Sequence, residues 1–464
     1  MSDAEVLLSP ALALPGYAAM GDAVRDDAER WPTLSPPGLA RLETLRHHPH
    51  APVWTHACGD LLTSADHLAL ATWAEGLSRP ADSGATNGIP PHWLLVELER
   101  LRRVVPFLRR LGVREWADVP VIGRADLARS IADFVPTDVT LDRVVQGTSS
   151  GSTGSALVIP WHPVDIAKDL PLIDHLLSAR GVAWPTDPDR LGLLSVVDQA
   201  QAFTYASVLT TRSEQGMARV SLHASAWSSQ HDRREFLCAA DPQVVSGSAL
   251  TLLSYAALDL PTRPLAAVSG AVELSVPARS HLEASLGAPV IDLYGLRETG
   301  PVAGEATAGQ GHLLVPRRIF VEVVDHRARP VADGVPGEVV VSALENPYLP
   351  LLRYRTGDRA ALVGTGRERR LVGLEGREAV CFVTGRGGSV QSVELTQQLQ
   401  RHSIRAWTVE QDADGAVVVR SVGGDPAGAR DAVATLLDQP VAVVPVSSAT
   451  DLGPGKPRRF HSEA

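Results

Sequence analysis

Between Leu141 and Gly295 the chain alternates two textures, and that alternation narrows the fold more than any other feature. Short apolar runs (LVIP, LGLLSVV, VSLHA, PQVVSG, LAAVSG and PVIDLYG) are too short for helices and read as buried strands. The stretches between them, such as VDIAKDLPLIDHLLSARG and ALTLLSYAAL, carry apolar residues at helical spacing. Strand and helix in turn predict α/β layers.

After this part IFVEVVD, GEVVVSAL and LPLLRYRTGDRAALV read as strands with Gly and Asp turns, a β-rich subdomain. The stretch GREAVCFVTGRGG is a joint punctuated by Gly and Arg. Beyond it WTVEQ, a turn at Asp414-Gly415, AVVVRSV, a helix over Ala427–Leu437 and VAVVPV make a small α/β tail. The expected division is a large α/β domain with a β-rich subdomain over residues 1–375 and a small mobile C-terminal α/β domain over 376–464. At the other end, residues 1–60 are rich in Pro and His and read as irregular. Trp93–Leu111 reads as an amphipathic surface helix interrupted at Pro106.

Composition excludes several classes. With 464 residues the chain exceeds one ordinary core. A net charge of −10 argues against a protein that wraps nucleic acid, which needs a basic face. Cys58, Cys238 and Cys381 are far apart and form no CxxC pair, so neither a disulfide framework nor a zinc ribbon is expected. The first residues carry acids and no basic n-region, unlike a signal peptide, and no apolar run is long enough to span a bilayer; a cytoplasmic protein without a membrane partner is the expectation.

Four segments carry candidate chemistry. In GTSSGSTGSALVIP, small and hydroxyl residues can close backbone N–H groups around phosphate oxygens, or serve as a linker; there is no GKS/T ending of a Walker loop. In IDLYGLRETG, Tyr294 can flank an adenine and Glu298 can hold Mg²⁺, or the segment is a strand with a capped turn. In LRYRTGDRAAL the strand ends in a TGD turn, whose Asp358 can accept two ribose hydroxyls. In DLGPGKPRRF, Lys456 sits in a Gly/Pro frame, either a solvated tail or a mobile cation for developing phosphate charge.

Each segment alone is weak, but their order and spacing are specific. A Gly/Ser/Thr loop, YG-x-x-E-T, R-Y-R-T-G-D, a Gly-Arg joint and a terminal G-K-x-x-R together resemble the adenylate-forming superfamily of acyl-CoA ligases and adenylation domains. The pattern is nearest to the phenylacetate–CoA ligase group. Ser149-Ser150-Gly151-Ser152-Thr153-Gly154 matches its SSGTTG loop, and ERLRRVVPFLRRLGVREWADVPVIGRADLARS resembles its N-terminal segments. The resemblance covers residues 95–460.

The resemblance implies an enzyme that uses ATP and Mg²⁺ to join a small, aromatic acid to AMP, releasing pyrophosphate, and then passes it to a nucleophile, most simply CoA. It implies that Thr148, Ser149, Ser150, Gly151, Ser152, Thr153 and Gly154 hold the phosphates, with Tyr294 and Gly295 at the nucleotide. Glu298 would ligate the metal and Thr299 would lie by the α-phosphate. Asp358 would take the ribose, Arg377 would lie at the joint, and Lys456 would bridge acid and α-phosphate. An acid pocket is expected among Phe203, Ser246, Gly247, Ser269, Gly270 and Ala271, and relatives suggest a homodimer.

Two departures bear on the second half-reaction. The family loop continues Gly-Lys-Pro where this chain has Gly154-Ser155-Ala156, and the joint Gly-Arg-x-Asp is here Gly376-Arg377-Glu378-Ala379. Acceptors other than CoA therefore stay open: an amine, a carrier-protein thiol, or an arylamine attacking activated nitrite. A nucleotide-binding scaffold without catalysis is the alternative from another class. The cluster His47, His48, His50, His56 and Cys58 lacks paired metal-ligand spacing and reads as loop histidines rather than a zinc site.

Overall fold

Three crossover connections build the centre of the molecule, each started by a serine. Ser229, Ser248 and Ser275 cap the helices Gln230–Ala240, Ala249–Ala256 and Val276–Leu286, their side chains accepting from the backbone N–H groups of Asp232, Thr251 and Ala278. These helices return the chain to the parallel strands Val244–Gly247, Ala266–Gly270 and Val290–Leu296. Leu193–Val197 lies parallel between Val244–Gly247 and Gln215–Ser221. The computed structural model describes residues 25–78, 87–149, 157–200, 202–305, 307, 309–376, 380–453 and 457–464.

The β-rich part continues the same sheet. From Val290–Leu296 the order runs antiparallel through Gly300–Glu305, His312–Leu314, Arg370–Glu375, Leu351–Val363 and Gly337–Ala343 to Ile319–Val324, giving twelve strands with Tyr205–Leu209 at the other edge. Phe236, Leu252 and Leu282 of the crossover helices bury one face. Leu172, Ile173 and Leu176 of the helix Asp169–Ala179 bury the other. Alternation along each strand thus serves two apolar cores.

Two expectations are corrected. Residues 1–60 contain helices in their described part, Asp27–Arg30 and Pro36–Arg46. The prolines that look like breakers occupy the first turn, where no N–H is missed, and Ser35 caps it. Leu42 of this helix packs with Trp31, Ala206 and Val208, covering the edge strand. The strand read as VSLHA begins earlier, at Gln215, and ends at Ser221. The helix over Trp93–Leu111 is interrupted as expected, into His92–Val104 and Pro106–Leu111.

The C-terminal residues form a separate four-stranded sheet, ordered Val441–Pro445, Val417–Val422, Ala406–Gln411, Phe460–Ser462. The helices Ser392–Arg401 and Pro426–Leu437 pack on it around Leu395, Leu399, Trp407 and Val433. It touches the large part where Ser275 Oγ donates to Arg405 O at 2.8 Å and where Arg459 pairs with Glu273.

Candidate active site

The hairpin that follows the last parallel strand brings Tyr294 to Asp358 and carries Glu298 and Thr299 in its loop. Val290–Leu296 and Gly300–Glu305 pair as a hairpin, leaving Arg297, Glu298 and Thr299 as its loop. Glu298 and Thr299 are nevertheless only 6% and 4% exposed. A buried carboxylate needs a partner, and Arg124 Nη1 donates to Glu298 Oε1 at 2.9 Å. Arg124 opens the short helix Arg124–Arg129. That segment is clamped to the strand Leu351–Val363, where Arg355 N donates to Ile122 O at 2.7 Å and Ile122 N to Arg353 O at 3.1 Å. Arg124 lies in the quoted IGRADLARS segment, but no spacing linked it to a residue 174 positions on.

The TGD residues are not a terminal turn, which corrects the sequence reading. Leu351–Val363 runs through them, and a bulge sets Thr356, Gly357 and Asp358 opposite the single residue Val339. Gly357 takes φ 80°, a conformation that an L side chain resists. Thr356 Oγ1 donates to Val339 O at 2.9 Å and accepts from Asp358 N at 3.0 Å, so a side chain replaces the broken ladder. The bulge aims Asp358 at Tyr294, whose hydroxyl donates to Asp358 Oδ2 at 2.8 Å. Burial, and then the Asp358 charge, push the Tyr294 hydroxyl far above the ordinary tyrosine range. Gly376, the first residue of the joint, sits over the pair: a Cβ there would be 3.8 Å from Asp358 Oδ1.

Gly247 and Ser269 are in register on adjacent strands, and Gly270 ends the second of them. Val272 N then donates to Gly270 O at 2.8 Å, a three-residue reversal that holds Ala271 at φ 68°. Ser269 Oγ is buried with no hydrogen-bond partner among the described residues. Ser246 lies one residue before Gly247 on the same strand. Phe203 is set apart, just before the edge strand, where it is exposed and stacks on His56 with ring centroids 4.0 Å apart.

Thr148 and Ser149 end the strand Val145–Ser149, which among the described residues pairs with Leu157–Trp161 as a two-stranded unit. Ser150, Gly151, Ser152, Thr153, Gly154, Arg377 and Lys456 lie outside the described residues. Further on, Arg459 pairs with Glu273, which follows the Gly270–Val272 reversal, and its guanidinium stacks 4.0 Å over the Trp407 ring.

Among the described residues no three His, Cys, Asp or Glu side chains form a cage. Glu298 is one hard oxygen donor, which suits an ion that takes one or two carboxylates and completes its shell with phosphate oxygens and water. The residues present therefore fit Mg²⁺ brought with a nucleotide. The histidine cluster is otherwise engaged: His50 Nδ1 lies 2.7 Å from Asp232 Oδ1, and His48 packs edge-on against Phe236.

No family model matches the chain. It is 34% identical over 138 residues to the phenylacetate–coenzyme A ligase of Escherichia coli (strain K12), a match that covers 28% of this chain and 31% of that protein. It is 30% identical over 156 residues to the phenylacetate–coenzyme A ligase of Aromatoleum evansii, covering 32% and 35%. The chain thus spans about a third of the length of the curated relatives it matches. In fold it is similar to 2-hydroxyisobutyryl-CoA ligase in its postadenylation state with 2-HIB-AMP, with a TM-score of 0.60 at 18% identity, covering 80% of this chain and 88% of that one. The chain is therefore similar over part of its length to phenylacetate–CoA ligases and shares the fold of 2-hydroxyisobutyryl-CoA ligase.

Proposed function

We propose that this chain is an ATP-dependent ligase that joins a small acid to AMP with release of pyrophosphate, then hands the activated acid to a thiol, CoA in the simplest case. The observation that carries this reading is the meeting of Tyr294, Asp358 and Gly376 at one end of the sheet, beside the hairpin that buries Glu298. A carboxylate held by a tyrosine hydroxyl keeps acceptor positions for a diol, the chemistry of a ribose. Glu298 and Thr299 would sit at the phosphates, where bound Mg²⁺ would neutralise charge. Arg124 lies beside Glu298 and offers the cation that Ser155 does not.

In the first step an oxygen of the acid attacks the α-phosphorus, a P–O bond forms, and the bond to pyrophosphate breaks. The protein's part is positioning and charge stabilisation. Lys456 would approach from the segment tied down by Arg459 and Glu273, with residues 376–464 moving as a small module about Gly376 and Arg377. In the second step the thiol attacks the carbonyl of the mixed anhydride and AMP leaves.

The test is acid-dependent pyrophosphate release by the full chain and by K456A, with CoA, hydroxylamine and an arylamine as alternative acceptors. Release that falls at least 100-fold in K456A at an unchanged melting temperature supports the reading. An unchanged rate in the folded variant removes Lys456 from the reaction.

A further inference from the structure

One row of side chains on the large sheet breaks the pattern that builds the rest of that face. Register fixes which residues share it. Tyr205 pairs with Arg219, Arg219 with Ser195, and Ser195 with Ser246. Paired residues point to the same side of a sheet, so these four form a polar row across four adjacent strands. Two residues away on the same face and the same four strands the row is Ser207, Met217, Leu193 and Val244, and its last three members pack into the core under the helix Asp169–Ala179. Alternation would carry an apolar face onward. Instead it turns polar one step before the strand ends, where open α/β sheets bind ligands.

Arg219 is the anomaly within the row. Its Nε donates to Phe203 O at 3.0 Å and its Nη1 to Ser195 Oγ at 3.2 Å. A guanidinium has five N–H donors, and among the described residues no carboxylate pairs with this one. Burial lowers its hold on its proton; Tyr205 opposes that effect and Arg297 adds to it. Arg297 follows directly on the strand that carries Tyr294, and it also lies within reach of Asp169. Arg219 and Arg297 are thus close enough to repel each other, and Arg219, half-buried, is the one without a carboxylate among the described residues.

The geometry points to an acid pocket floored by this row, and we propose that Arg219 receives a second anionic group of the substrate. The substrate class is then a small dicarboxylic acid: one carboxylate goes to AMP and the other to the guanidinium. This rests on the ligase reading above. Arg219 stands three strands from Ala266–Gly270, about 14 Å at ~4.8 Å per strand. Once the arginine side chain is allowed for, the gap suits one six-membered ring or a short aliphatic chain.

The experiment is isothermal titration of the full chain with matched acids: benzoate against isophthalate and terephthalate, and pentanoate against glutarate. The wild type, R219M and R219K are compared, with melting temperature as the folding control. At least one diacid is expected to bind the wild type tenfold or more tighter than its monoacid partner. R219M is expected to lose at least tenfold for that diacid and under twofold for the monoacid, with partial recovery in R219K. Diacids binding no tighter than monoacids overturns the proposal, and this comparison needs no variant. Equal losses for both acids in R219M also overturn it, because Arg219 then holds the reacting carboxylate. Pyrophosphate release with the same acids separates the two readings. Selective diacid binding without release leaves the anion site standing and removes the ligase. Release with monoacids alone keeps the ligase and removes the anion site.

Discussion

The Tyr294 hydroxyl donates to Asp358 Oδ2 at 2.8 Å, joining a residue of the parallel half of the sheet to one of the antiparallel half. In the proposed ligase this bond fixes the carboxylate that takes the ribose. Y294F should weaken ATP binding about tenfold, ~1.4 kcal/mol, the size of one hydrogen bond to a charged group. The measurement is the ATP dependence of pyrophosphate release. An unchanged KM for ATP would mean that Tyr294 only packs.

The Arg124–Glu298 pair should respond asymmetrically. Arg124 is 24% exposed and Glu298 6%. R124M leaves a buried carboxylate without this partner and should cost about 1–3 kcal/mol. E298Q leaves an arginine that reaches water and should cost less than about 1 kcal/mol, while raising the Mg²⁺ requirement of turnover. Urea unfolding of both variants checks the order; equal losses would show that the pair is a surface contact in effect.

Acid should erase one interaction in particular. Asp66 Oδ2 accepts from Arg143 Nη2 at 2.6 Å and from Thr63, and these bonds hold its carboxyl at about 2 although burial pushes the other way. The folded pKa is below the unfolded value, so the stabilisation is present above about pH 4 and is lost as pH falls toward 2. D66N should therefore be about 1 kcal/mol less stable than the wild type at pH 7, allowing for solvent screening, with the difference shrinking below about pH 4 and vanishing as pH falls through the folded value. A constant difference across that range would assign the effect to packing.

The cysteines should separate by environment. Burial pushes the Cys58 thiol up to about 11, whereas Cys381 is exposed. At pH 8 roughly one Cys58 in a thousand is thiolate, so iodoacetamide should mark Cys381 first by a wide margin. Mass spectrometry of tryptic peptides over time reads this directly, and early labelling of Cys58 would contradict its burial.

The parallel core was legible because its strands are continuous apolar runs such as LAAVSG and its helices begin at serines. What needed three dimensions was register. Tyr294 and Asp358 are 64 positions apart, and nothing in either segment names the other. The polar row escaped for the same reason: Arg219 lay just before the run read as VSLHA, and its neighbours come from other strands. The first sixty residues misled in the opposite sense, because Pro36 and Pro37 act as helix starters once Ser35 is seen to cap them.

The bulge at Thr356–Asp358 limits which changes of length this chain can tolerate there. Beyond it Arg359 is exposed, while Ala360 and Leu362 point into the core beneath Leu172 and Leu176. Loss or gain of one residue in the bulge reverses the parity of everything downstream and turns Arg359 inward. The carboxylate at Asp358 is thus guarded against insertions and deletions by residues that never touch a ligand, and drift at this point can proceed only by substitution or in steps of two.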